Sequence, residues 1–131
     1  MRKSILLITA IVLFVSNYAV AGVGLVVSCT NCGYKSKEVR EGGGLKGIEQ
    51  TVVYCETCKN FFDIPTRVQF DVEANKRESI VASVGKEKYL GEECFVYPCP
   101  VCGGRAFAYK GKICPVCKKN NLRFQEAFLW D

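Results

Sequence analysis

Eight cysteines of this chain fall into four copies of one unit: Cys29-x-x-Cys32, Cys55-x-x-Cys58, Cys99-x-x-Cys102 and Cys114-x-x-Cys117. The first two units are separated by 22 residues and the last two by 11. Two residues between thiolates let one tight turn present both sulfurs to a single tetrahedral ion, as Zn–S bonds of about 2.3 Å require. Two such turns, face to face, complete a four-cysteine site. A single unit is weak evidence; four at these intervals point to metal. The competing reading is a disulfide framework, because nine cysteines in 131 residues, about 7%, approach the density of such scaffolds. Scaffold disulfides, however, usually join cysteines far apart in sequence, and a disulfide closed within Cys-x-x-Cys belongs mainly to redox-active sites.

The chain contains no histidine. That excludes a Ser–His–Asp triad, a Cys–His nucleophile, an HExxH zinc site and a CxxCH haem attachment. All-thiolate metal sites need none. Zinc, two ions with four cysteines each, is the expected cofactor because it requires no redox partner; iron is the alternative.

The N-terminus reads as an export signal. Met1-Arg2-Lys3 is basic, Ile5–Val15 is a largely apolar run of h-region length, and Ser16-Asn17-Tyr18 breaks it. Ala19-Val20-Ala21 supplies the small–x–small cleavage pattern, which places residues 1–21 in a signal peptide and the mature chain outside the cytoplasm, periplasmic or extracellular. Two alternatives tie the chain to a membrane: an uncleaved anchor over Ser4–Val27, or lipidation of Cys29 after the lipobox-like Val26-Val27-Ser28. Lipidation would spoil the first Cys-x-x-Cys pair.

The flanks of the units carry a family resemblance. Cys29-Thr-Asn-Cys32-Gly-Tyr34, Tyr54-Cys55-Glu-Thr-Cys58, Cys99-Pro-Val-Cys102-Gly and Cys114-Pro-Val-Cys117 resemble the knuckles of zinc ribbons and are similar to those of rubredoxins. Gly33 and Gly103 follow the second ligand, where the turn tends to need φ > 0. Pro100 and Pro115 rigidify their turns. The sequence departs from the family pattern at Lys59 and Lys118, which stand where glycine is common, and in its expected export. The resemblance implies metal binding on a β-hairpin scaffold and no particular task.

The fold expected is a small metal-stabilised β-rich protein: a zinc ribbon over 22–66, a connecting hairpin and linker over 67–93, and a second zinc ribbon over 94–131. Strands are expected over Gly24–Ser28, Glu49–Tyr54 and Arg67–Glu73, where Val68, Phe70 and Val72 alternate with polar residues. Asn75–Arg77 reads as a polar turn and Ser79–Val84 as the returning strand of a hairpin; the alternative is a short helix over Glu73–Ala82. Lys86–Glu93 reads as an exposed linker, and Arg105–Tyr109 with Lys112–Ile113 as a hairpin turning at Lys110-Gly111. The Gly42-Gly43-Gly44 run lacks a phosphate-loop pattern and reads as a turn or loop. Leu122, Phe124, Phe128, Leu129 and Trp130 form an apolar tail that covers the thin core or, exposed, meets a partner.

Sequence-adjacent pairing is the simplest assignment of ligands: Cys29, Cys32, Cys55 and Cys58 to one ion, Cys99, Cys102, Cys114 and Cys117 to the other. Crossed pairing, with the first and third units sharing an ion, stays open. Cys94 is the odd residue and reads as a small buried hydrophobe without a ligand role.

The formal charge of +5 suggests nucleic acid at first sight. Removing Arg2 and Lys3 and adding eight thiolates with two divalent ions brings the total near −1, and Lys35, Lys37, Lys59, Lys118 and Lys119 stand beside the ligands as local counter-charges. Base stacking on Tyr34, Phe107 and Tyr109 is the rival role for that cluster. The Asp71–Glu73 and Glu92–Glu93 pairs have no fixed spacing and read as solvated surface, so no catalytic residue is assigned. The expected function is a non-enzymatic interaction module of the cell envelope whose partner is another protein, with no nucleic acid and no membrane contact unless the N-terminal segment stays attached or Cys29 is lipidated. The alternative is a redox protein, through rubredoxin-like iron or thiol–disulfide exchange.

Overall fold

The computed structural model describes residues 22–43, 47–68 and 79–130. These form eight strands: β1 (Gly22–Cys29), β2 (Val39–Gly43), β3 (Ile48–Cys55), β4 (Asn60–Val68), β5 (Gly85–Tyr89), β6 (Glu92–Pro98), β7 (Arg105–Phe107) and β8 (Leu122–Trp130). Every pairing is antiparallel, in the order β5-β6-β7-β3-β2-β1-β8, with β4 branching from β3. The described residues contain no helix. The protein is a small all-β antiparallel sheet carrying two clusters of four cysteines.

Strand β3 organises the sheet. β4 pairs along its whole length, while its other edge is shared by β2 at Gln50 and β7 at Tyr54 and Cys55. Both edges of β3 are therefore paired, and both faces of its end are covered, which is why the continuous apolar run Val52-Val53-Tyr54-Cys55 is all buried. Val52 and Tyr54 enter one core with Leu25, Val27, Phe61, Tyr89, Val96, Phe107, Tyr109 and Leu122. Val53 and Cys55 face a second, with Ile64, Cys99 and Ala106.

Strand β1 contains the expected Gly24–Ser28 strand, and β3 contains Glu49–Tyr54. The apolar tail is itself a strand: β8 pairs with β1 from Leu122↔Cys29 to Trp130↔Gly22. Leu122 is buried and Phe124 packs on the first core. Several local expectations differ, among them Ser79–Val84, which forms neither a returning strand nor part of a helix. Lys86–Glu93 is no linker but the β5–β6 hairpin, turning through Leu90 and Gly91, both at positive φ, and anchored by buried Tyr89. Arg105–Tyr109 does not pair with Lys112–Ile113; β7 inserts between β6 and β3, and Ile113 bridges to Asn120 instead. The Gly42–Gly44 run belongs to β2 as far as Gly43, with Gly44 outside the described residues. Also outside them lie residues 1–21, Asp71, Glu73 and the greater part of the strand expected over Arg67–Glu73. Among the described residues no helix is long and apolar enough to cross a membrane.

Candidate metal centres

Each Cys-x-x-Cys unit is a knuckle closed by backbone hydrogen bonds. In the first, Gly33 N donates to Cys29 O at 3.0 Å and Cys29 N to Tyr34 O at 2.9 Å. The third repeats this through Gly103, Cys99 and Gly104, and the fourth through Lys118, Cys114 and Lys119. The second sits at the β3–β4 turn, where Cys55 pairs with Asn60. The residue after each second cysteine is left-handed in all four: Gly33 at φ 74°, Lys59 at 51°, Gly103 at 71° and Lys118 at 62°. Glycine adopts that conformation freely; lysine does so at a cost.

The knuckles come together in a nested order. Cys29, Cys32, Cys114 and Cys117 form one quartet, and Cys55, Cys58, Cys99 and Cys102 the other, the four sulfurs of each lying within 4.8 Å of one another. Neither sequence-adjacent pairing nor a first-with-third pairing is what the fold produces. The physical reason is the sheet: β1 runs into the first knuckle and β8 leaves the fourth, so their pairing closes the outer quartet. Likewise β3 runs into the second knuckle and β7 leaves the third, and their pairing closes the inner one.

The two quartets are built alike. Each joins one glycine-ended knuckle to one lysine-ended knuckle, first cysteine against second. Cys29 Sγ lies 3.7 Å from Cys117 Sγ and Cys32 Sγ 3.8 Å from Cys114 Sγ. In the inner quartet Cys58 lies 3.9 Å from Cys99 and Cys55 3.5 Å from Cys102. A tetrahedral ion with Zn–S bonds of about 2.3 Å sets sulfurs about 3.8 Å apart. Disulfide bonding needs about 2.05 Å, and all nine cysteines are free. The residues thus fit two metal ions with four thiolate ligands each. Cys32 and Cys102, the second cysteines of the glycine-ended knuckles, are the exposed member of each set.

Backbone donors support the thiolates. Cys58 N lies 3.5 Å from Cys55 Sγ, Val101 N 3.4 Å from Cys99 Sγ, and Gly104 N 3.4 Å from Cys102 Sγ. Burial pushes the Cys99 thiol up, but the N–H groups of Cys102 and Val101 outweigh it and bring it to about 7. Cys29 follows the same logic: burial opposes ionisation, and the N–H groups of Cys32 and Asn31 with the Cys117 and Cys114 thiols lower it to about 7. Cys58 and Cys114 are pushed up to about 12, first by burial and further by their neighbouring cysteines.

Three residues tie the centres to the sheet, of which Ser36 and Asn60 are not flagged by spacing or composition. Ser36, buried, accepts from Val27 N at 2.9 Å and donates to Lys37 O at 2.7 Å, holding the first knuckle against β1. Tyr34 and Asn60 join the knuckles of different quartets, Tyr34 Oη to Asn60 Oδ1 at 2.8 Å. Cys94 joins neither quartet; it is buried, with its thiol 3.6 Å from Glu92 O. Phe107 and Tyr109 are buried in the core and offer no face for a base.

The chain matches no family model, no curated protein and no solved structure.

Proposed function

We propose that this protein is an exported, non-enzymatic interaction module held together by two structural zinc ions. The observation that carries the reading is the geometry of the two quartets: eight thiols at tetrahedral spacing, four to each site. A site whose four positions are all taken by protein thiolates leaves none for a substrate, which is the signature of structural rather than catalytic zinc. Export is supported by the basic-then-apolar N-terminus ending at Ala19-Val20-Ala21. With the knuckles of each quartet contributed by distant parts of the chain, the ions supply much of the folding free energy, and the surface they hold is what a partner meets.

Metal analysis of protein purified from the envelope fraction, with a visible spectrum, tests this. Two zinc ions per chain, no visible band, and loss of the β-sheet circular-dichroism signal on chelation are expected. A thiolate-to-iron absorption band that bleaches on reduction would replace the reading by electron transfer. Metal-free protein with four disulfides would overturn it.

A further inference from the structure

Between the second and fourth knuckles lies an open groove of about 290 Å³, lined by Tyr54, Glu56, Lys59, Pro115, Val116 and Lys118. Its floor is apolar: Tyr54 is buried, and Val116, exposed at 41%, is among the few large apolar side chains left open to solvent. Its rim carries the two lysines that occupy left-handed backbone positions at 51° and 62°. The equivalent residues of the other two knuckles are glycines, so lysine is retained twice against its backbone preference, and both copies line the same groove. Strain retained at a surface feature points to a use for the side chain.

The groove is rich in donors. Among the described residues Lys59 makes no ion pair, and Lys118 reaches Glu56 only at 3.8 Å, with both side chains more than half exposed. Such a pair is weak and readily exchanged. Beneath it the Lys118 ammonium stands 5.9 Å from the centre of the Tyr89 ring. Tyr89 is 7% exposed, and the side chain its hydroxyl faces is the Glu56 carboxylate on the rim of the groove. Burial, with the Glu56 carboxylate nearby, holds that phenol far above its usual range, so it remains a proton donor.

From this arrangement we infer that the groove docks an extended segment of a partner protein carrying a carboxylate beside an apolar side chain. The carboxylate would take the ammonium groups of Lys59 and Lys118, and the apolar side chain would lie on Tyr54, Pro115 and Val116. A nucleic-acid backbone fits less well, because it would bring a run of phosphates to a short groove that already holds Glu56. The inference rests on the interaction-module reading and adds a dependence on both ions: one wall belongs to the inner quartet and the other to the outer. Removal of either ion should open the groove.

The test is calorimetric titration of the fully metallated mature protein with a blocked hexapeptide of alternating leucine and glutamate, with its leucine–glutamine counterpart as control. Saturable binding of the first, weaker by about tenfold or more for the second, is expected. The paired substitution Lys59→Gly with Lys118→Gly relieves two strained positions, so this variant should fold at least as stably while losing the peptide. No peptide binding by protein that holds two zinc ions overturns the groove while leaving the structural-zinc reading intact. So would peptide binding unchanged in the double-glycine variant with metal affinity reduced, which would make the lysines counter-charges to the thiolates alone. Tighter binding of an oligothymidylate than of the acidic peptide would also overturn it.

Discussion

The hydroxyl of Tyr34 donates to Oδ1 of Asn60 across 2.8 Å, joining two residues that each stand two places beyond a cysteine of a different quartet. The same hydroxyl accepts from Phe61 N at 3.3 Å, and the Tyr34 ring lies 6.0 Å from that of Phe61, which in turn meets Tyr54 at 4.9 Å. The two centres are thus coupled by a direct link as well as by the sheet. Tyr34→Phe should keep both ions and the ring packing but lower the unfolding free energy of the metallated protein by about 1 kcal/mol. Asn60→Ala should cost a similar amount. Denaturant titration of the double variant should show the losses to be less than additive, since both remove one interaction.

The nesting of the quartets makes opposite demands on two double substitutions. Cys29→Ser with Cys117→Ser removes two ligands of one quartet and should leave one zinc ion per chain, held by the other. Cys29→Ser with Cys55→Ser removes one ligand from each and should weaken both sites. Native mass spectrometry reads the difference directly, and a pairing of sequence neighbours would reverse it. Cys94→Ala should leave both ions in place at a cost of about 1 kcal/mol, since it trims a small buried side chain.

Gly24 is required by contact rather than conformation. A Cβ on it would fall 2.2 Å from the Phe128 ring, which lies over the β1–β8 pairing where the register slips. Gly24→Ala should destabilise the metallated fold by about 1–3 kcal/mol, read by thermal unfolding. Combination with Phe128→Leu should recover part of the loss, because the smaller side chain makes room.

Acidification should release the metal. The ligands bind as thiolates, so protons compete, and affinity rises with pH as each thiol ionises. With the quartets assembled and no ion bound, despite burial backbone N–H groups hold Cys29 and Cys99 at about 7, whereas burial pushes Cys58 and Cys114 up to about 12. Near neutral pH zinc must therefore displace more than one proton per site. Competition with a chromophoric chelator from about pH 8 to about pH 6 should show affinity falling by more than tenfold per pH unit. A slope of one proton or fewer per ion would contradict the assigned thiol ranges.

The ligand-bearing turns were legible in the sequence because a knuckle is local: two residues between sulfurs and a left-handed residue after them suffice. The β-rich class and the strands containing Gly24–Ser28 and Glu49–Tyr54 were legible for the same reason, through short β-branched runs. Which knuckles meet was not, because it depends on pairing Cys29 with Leu122 and Cys55 with Ala106, contacts between segments distant in the chain that leave no mark on spacing. The β5–β6 hairpin was hidden by composition. Its strands are so largely exposed that Lys86–Glu93 reads as solvated coil, and buried Tyr89 alone betrays it. Ser36 and Asn60 are ordinary polar residues until the fold shows what they hold.

The nested order also sets a timetable for a chain that is made from its N-terminus. Cys58 and Cys99, 41 positions apart, can meet while the last segment is still being delivered, whereas Cys29 must wait for Cys117, 88 positions later. The first knuckle to emerge is among the last to be satisfied. Until then its thiols stand open to oxidants and to stray metal, so the protein's most hazardous moment comes before its last strand is made.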